Sequence, residues 1–350
     1  MIYIEGEFSM TKRSHSLDSL IAVREHDNTN IIGKLLYFTI GKTLIKEDRM
    51  GQIIEECGIS KEYLASKFTN THAFKSATKQ LEKKYKVDTD KGNIEIYKIR
   101  ILDNAKENSG NLIVREIKRE IISEKKNPMI SLGNLTYDKT TDDVNYDLNP
   151  VTIEDLDFDL KAECEKVFDL YEYSKDCYNE NRIVNLIESY VTQELDASPI
   201  SIHGKLFFVP IFRNEELAKL EQLIATIEEE NEVTTRYGID GNIHFATIPV
   251  MSDEKYIKEY TKEFYVMAER EIETYMKRFN HFIENGQTSD KILEVWIDKV
   301  DKFVEKKKKY EDLFKRNLCE LDSDISIIER QIQELTYRVS KKEQEENKGR

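Results

Sequence analysis

The sequence predicts an α+β protein: a helical, helix-turn-helix-like N-terminal module, a small antiparallel sheet, and a long C-terminal antiparallel helical hairpin or coiled coil. Three observations carry this. Between residues 94 and 148 four β-rich runs follow one another over short connections, the pattern of a meander. From 252 to 343 apolar residues recur at steps of three and four, which keeps one stripe facing a partner helix over many turns. Only 5 prolines and 13 glycines interrupt 350 residues, so long regular elements are favoured over a loop-rich sandwich. The divisions that follow are 1–90, helical module; 91–150, antiparallel β region; 151–250, acidic linker with an α/β region; and 251–345, helical arm.

Residues 1–29 are polar around Leu17, Leu20, Ile21 and Val23, a strand or peg before one helix. Residues 31–86 read as a run of helices. Ile31–Ile40 is strongly apolar, Arg49–Cys57 is a short helix stopped by Gly58, and Ser60 can cap Lys61–Phe68. Thr71 can cap Ala73–Tyr85. In the first β run, Ile94 and Ile96 are out of phase with Ile99 and Ile101, as a bulge would cause. Leu112–Ile122, Met129–Tyr137 and Val144–Leu148 complete the sheet, the last two joined by a polar Lys-Thr-Thr-Asp turn. Helices are predicted over Leu160–Tyr178, Asn181–Leu195 and Asn214–Glu230. A hairpin is predicted over Pro199–Pro210, with Asn242–Val250 as a strand able to join it.

The arm's first helix presents Ile257, Tyr260, Phe264, Ala268, Ile272, Tyr275, Phe279 and Phe282, and Asn285-Gly286 breaks it. Ser289 or Asp290 caps a second helix running to Val339. At about 1.5 Å per residue the first is roughly 50 Å long and the second over 80 Å. The row Leu321, Ile325, Ile328, Ile332, Leu335 and Val339 therefore outruns its partner. The Asn214–Glu230 helix, the domain core or a second chain is needed to cover it. Self-association or a protein partner is the reading. The steps from Phe314 through Leu318 to Leu321 add a phase shift that locally unwinds a heptad.

Apolar residues at 39% and charged residues at 34% place the chain among soluble proteins. No apolar run is long enough to span a bilayer, and the N-terminus lacks a basic-then-apolar layout. The expectation is no membrane contact and a cytoplasmic location. The net charge of −14 is uneven. Residues 141–200 hold four Lys/Arg against sixteen Asp/Glu, a balance of −12, and residues 51–100 hold ten against seven, a balance of +3. The bulk acid argues against phosphate binding by the whole surface but leaves room for one basic face.

Candidate sites are few. Gly41-Lys42-Thr43 resembles the end of a P-loop, but Leu36 stands where that motif needs its first glycine. Ile53 to Phe68 has the pattern of a helix-turn-helix, with Gly58 at the turn. Lys61, Lys67, Lys75, Lys79, Lys83 and Lys84 add positive charge across it, a nucleic-acid-binding face diluted by Glu55, Glu56 and Glu62. Asp155, Asp157 and Asp159 alternate with Leu156, Phe158 and Leu160. This segment suits a docking peptide, a nucleic-acid-mimicking face or, more simply, a helix entry whose carboxylates meet the helix dipole. Cys57, Cys164, Cys177 and Cys319 are scattered, and His203 and His244 lack a third ligand. No metal and no cofactor are therefore expected. Tyr171, Tyr173, Tyr178 and Tyr190 read as half-buried packing residues, a residue type that also suits interaction surfaces.

Ile32-Gly-Lys-Leu-Leu-Tyr37, Ala73-Phe-Lys-Ser-Ala77, Gly204-Lys-Leu-Phe-Phe-Val-Pro210 and the helical C-terminus occur in an order covering most of the chain. That order resembles an uncharacterised family of phage and archaeal-virus proteins. The resemblance implies viral or mobile-element origin and no assigned activity. The leading expectation is a non-enzymatic, phage-encoded protein that binds host or viral machinery, with inhibition of an antiviral defence system as one form. A nucleic-acid-binding protein using the Gly58 corner is the second reading, and an enzyme with an unrecognised site around His203 and His244 the third.

Overall fold

The computed structural model describes residues 31–64, 69–88, 94–104, 109–122, 127–153, 156–200, 205–285 and 290–348. The chain runs β1 (Ile31–Ile40), β2 (Leu44–Lys46), α1 (Glu47–Glu56), α2 (Asn70–Thr78), β3 (Lys84–Asp88), β4 (Ile94–Asp103) and β5 (Leu112–Ile122). It continues through β6 (Met129–Asp138), β7 (Asp143–Leu148), α3 (Pro150–Ile153), α4 (Leu160–Ser174), β8 (Cys177–Asn179), α5 (Glu180–Gln193), β9 (Ser198–Pro199) and β10 (Leu206–Pro210). It closes with α6 (Asn214–Glu230), α7 (Val233–Tyr237), β11 (Ile243–Met251), α8 (Glu254–Asn285), α9 (Asp290–Phe314) and α10 (Asp322–Lys348). Contacts sort the chain into two units, one of 40–186 with 223–242, the other of the described parts of 1–39, 187–222 and 243–350. Among the described residues no helix is long and apolar enough to cross a membrane.

The first unit is built on the antiparallel meander β3-β4-β5-β6-β7. One face carries Ile99, Ile101, Ile117 and Leu135, all buried, and α2 and α4 cover it with Phe74, Ala77, Val167, Leu170 and Tyr171. The α4 residues recur at helical spacing, and Asp159 starts the helix by accepting from the Ala162 N–H at 3.1 Å. The four β runs and their order match the expectation. The phase slip in β4 is not a bulge, because β4 pairs with β5 without interruption from Ile96↔Ile122 to Asp103↔Arg115. Ile96 simply occupies the face opposite Ile99 and Ile101. The register shift lies instead between β5 and β6, at Ile117/Lys118. It coincides with Gly133 at φ +148, whose absent Cβ makes room for the Asp147 carbonyl.

The run of helices expected over 31–86 is corrected in three places. Ile31–Ile40 is a strand: its Ile, Tyr, Phe and Thr content suits a pleated surface. Alternation buries Ile32, Leu36 and Phe38 and exposes Tyr37. The helix from residue 73 stops at Thr78, whose hydroxyl turns back onto the Phe74 carbonyl at 2.8 Å. Residues 79–81 tighten into a 3-10 turn and Lys84 begins a fifth strand. The helix-turn-helix is not formed by the described residues. α1 ends as predicted, with Gly58 at φ +65. Ser60 then caps only a 3-10 turn, Lys61–Tyr63, and Leu64 is already extended.

The second unit holds a sheet of order β11-β1-β10-β9. The predicted hairpin is present as β9 and β10, paired Phe207↔Pro199 and Phe208↔Ser198, and β11 joins the sheet at the far side of β1. Gly33 lets β1 approach β10, since a Cβ there would sit 2.3 Å from the Val209 carbonyl oxygen. The arm is three helices rather than a hairpin. α9 runs antiparallel to α8, with Tyr310 stacked on Phe264 at 4.4 Å and Tyr275 against Phe303. The chain then breaks where the sequence shows its phase shift: Lys315 takes φ +50, and the Glu311 carboxylate accepts from the Leu318 N–H at 2.8 Å. α10 returns beside α8, with Gln331 Nε2 donating to Asn280 Oδ1 at 2.7 Å and Arg338 to the Ile283 carbonyl at 3.0 Å. The seam expected to await a second chain is closed within this one. Leu321, Ile325, Ile328 and Leu335 are buried, and Ile332 and Val339 pack partly buried against the same cluster.

Candidate functional site

In the first unit the exposed side of α4 forms one wall of a groove of about 1110 Å³. Residues 163, 166, 170 and 173 follow helical spacing, so Glu163, Lys166, Leu170 and Tyr173 line it in a row. Leu81, Val167 and Leu170 give it an apolar floor. The opposite wall is Arg236 and Tyr237 at the end of α7 with Ile239 and Asp240 beyond. Gly238 makes that wall possible: at φ +64 it ends α7 in the left-handed conformation and turns the chain along the groove.

Tyr173 is the centre of the arrangement. Lys46 Nζ lies 4.3 Å and the Arg236 guanidinium 4.4 Å from the ring centroid. The Tyr237 ring lies 6.0 Å away, tilted by 55°. Lys46 also donates to the Tyr173 carbonyl at 2.9 Å. Burial raises the Tyr173 and Tyr237 hydroxyls above the ordinary phenol value, so both stay neutral donors at physiological pH. Carboxylates of Glu163, Asp169, Glu172 and Asp240 share the lining with the cations of Lys46, Lys166 and Arg236. The arrangement offers fixed charges of both signs around two aromatic faces, which is recognition chemistry.

The groove gathers few of the residues singled out by sequence. Lys61 pairs with Glu55, and Lys75 with Asp103 at 3.2 Å. Lys79 is exposed, and Lys84 lies on β3. Lys83 rests 3.4 Å from the Phe158 ring centroid and 3.9 Å from Glu163, its pKa lowered by burial. These lysines are spread over the 3-10 turn after α1, α2 with the 3-10 turn that follows it, and the start of β3, and Lys67 lies outside the described residues. Asp157 is exposed, Asp159 caps α4, and Phe158 packs edge-on against Tyr85. This is the plainer helix-entry reading, and Asp155 lies outside the described residues. Lys42 donates to Ser76 at 2.6 Å and pairs with Glu180 at 3.1 Å, so the P-loop look-alike is a structural junction.

His244 is exposed on β11, while His203 lies outside the described residues. Among the described residues no group of three His, Cys, Asp or Glu side chains is placed to hold a metal ion. Cys57, Cys164 and Cys177 are buried, and burial pushes the Cys164 thiol up to about 12 and Cys177 up to about 11. The sequence singles out Tyr173 as a packing residue of a type that also suits interaction surfaces, and gives no sign of Lys46, Arg236 or Tyr237. The signal available was Thr234-Thr-Arg-Tyr-Gly238, a helix end aimed by a glycine. A family model described as "Family of unknown function (DUF6744)" matches residues 31–343. No curated protein and no solved structure matches.

Proposed function

We propose that this chain, which belongs to the family of unknown function DUF6744, is a non-enzymatic interaction protein whose α4 groove receives a mixed-charge segment of a partner protein. The observation that carries the reading is the Tyr173 ring held by Lys46 and Arg236 beside Tyr237. Tyr and Arg side chains already fixed before binding lose little freedom when a partner docks, so more of their contact energy remains as affinity. The proposal includes a phage or related viral source, a partner in the host or viral machinery of the host cytoplasm, and interference with an antiviral defence. The motif order Ile32–Tyr37, Ala73–Ala77 and Gly204–Pro210 supports that part.

The test is affinity capture from infected host cells with the tagged full-length chain, compared with the Tyr173→Ala/Arg236→Ala double variant. One specific protein, retained by the wild type and reduced roughly tenfold or more by the variant, is expected from the energetics of aromatic and arginine anchors. Equal capture by both chains, or no specific protein at native levels, overturns the proposal.

A further inference from the structure

The meander β3–β7 buries one face and turns the other outward. Register fixes what the outward face carries. Lys84 of β3 stands directly opposite Lys98 of β4, and Arg100 of β4 directly opposite Lys118 of β5. Lys86 lies two residues along β3 from Lys84, on the same side. Lys98, Arg100 and Lys118 alternate along their strands with Ile99, Ile101 and Ile117, which are buried on the core face, and Lys84 and Lys86 flank Tyr85, which packs against the same core. Lys84 and Lys86 are exposed, and Arg100 keeps 37% of its side chain in solvent.

Like charges directly opposite one another in a ladder oppose strand pairing, and here two such pairs are adjacent. Among the described side chains two carboxylates share this half of the face, one of them, Glu120, directly opposite Lys98, and both are engaged. Glu120 is buried and accepts from Arg100 at 2.6 Å and Asn127 at 3.1 Å. Glu116 meets Lys118 at 3.0 Å. Lys84, Lys86 and Lys98 form no ion pair among the described residues. In a chain of net charge −14, this is a local inversion of sign set into a rigid element.

We propose that this basic half of the sheet face binds the phosphate backbone of a single nucleic-acid strand. Strands lie about 4.8 Å apart, so cations on three neighbours cover a lane about 10 Å wide. Lys84 and Lys86 are about 7 Å apart along β3, which lets them serve different phosphates of one strand. Ile96 and Ile122, opposite each other in the same lane, give flat bases an apolar rest. Farther across the same face the register places Asp138, Asp143 and Asp147 on β6 and β7. A duplex would bring its second strand towards these carboxylates, so one strand fits and two are repelled.

The test is fluorescence anisotropy of a labelled mixed-sequence single-stranded oligonucleotide with the full chain, from low to physiological salt. Three unpaired lysines at about 0.7 counterions per phosphate on a single strand predict a log–log salt slope of about −2. The Lys84→Glu/Lys86→Glu/Lys98→Glu variant is expected to lose at least tenfold in affinity. Should it misfold, Lys84→Gln/Lys86→Gln/Lys98→Gln removes the charge alone and is expected to bring the slope close to zero. Lys61→Glu, far along the chain on the corner after α1, is expected to change neither. The proposal is overturned if folded wild type shows no binding at low salt, or if the variants bind as wild type does. It is also overturned if duplex or an acidic peptide competes as well as the single strand. None of these outcomes bears on the α4 groove, which belongs to a different surface of the unit.

Discussion

Asp142 closes the β6–β7 turn at φ +60, a conformation that costs most L-residues energy and that Asp tolerates better than they do. Its carboxylate accepts from Tyr171 at 2.6 Å, Asn70 at 2.8 Å, Tyr137 at 3.0 Å and Lys175 at 3.1 Å. Burial works against the charge, but these bonds outweigh it and hold the pKa at about 2. The folded value lies below the unfolded one of about 3.9. The stabilisation is therefore complete above that value and is lost as pH falls towards 2. Asp142→Asn is expected to cost about 2 kcal/mol, kept low because the carboxylate is partly solvated. It should also flatten the acid limb of stability, read as urea midpoints across pH.

Lys306 is the opposite case, a buried amine that donates to the Ala197 carbonyl at 3.2 Å. Burial lowers its pKa below the unfolded value, so it favours the folded state more as pH rises towards about 10.4. Lys306→Met keeps the packing and removes the desolvation cost. The expected result is a melting temperature a few degrees higher at neutral pH and a weaker rise in stability on the alkaline side, read by calorimetry.

Elements were legible where two signals agreed. β4 to β7 combine alternation with turn residues, and α4, α5 and α6 combine helical spacing with polar faces, so local pattern and tertiary burial demand the same thing. β1 was misread because a short apolar run fits a buried strand and a buried helix equally well. The α9–α10 break was visible only as a phase shift, because a continuous row of apolar residues also serves a chain that reverses. Lys315 holds that reversal in the left-handed region without a glycine. Lys315→Gly is expected to stabilise the protein by about 1 kcal/mol, measured by chemical denaturation. Ile328 is 1% exposed within the chain's own helices. Ile328→Ala should therefore cost about 2–4 kcal/mol with an unfolding midpoint that does not move with protein concentration. A concentration-dependent midpoint would return the seam to an intermolecular role.

At the scale of the whole molecule the two units alternate along the sequence, the backbone passing from one to the other at 39/40, 186/187, 222/223 and 242/243. The helical arm depends on its own unit for its polar interior. Tyr310 donates to the Asp196 carbonyl at 2.8 Å, accepts from Ser198 at 3.1 Å, and packs with Phe208. Expressed alone, residues 252–343 would leave the Lys306 amine without its acceptor and the Phe264 cluster without β10. The expected outcome is a melting temperature at least about 10 °C below that of the full chain, consistent with the loss of a few kcal/mol, followed by circular dichroism.

The sequence by itself determined the α+β class, the meander from 94 to 148, the helices at 160, 180 and 214, and the amphipathic C-terminal arm. Each is dictated by the periodicity of neighbouring residues, which one chain segment contains in full. Only the tertiary structure decided that α10 folds back onto α8, that Lys46, Tyr173 and Arg236 meet, and that five cations share one sheet face. The groove draws on residues near 46, 81, 163–173 and 236–240, and the basic lane on the register of three strands. Such meetings depend on which distant segments pack together, a choice made by the burial of the entire core and written in no single stretch of sequence.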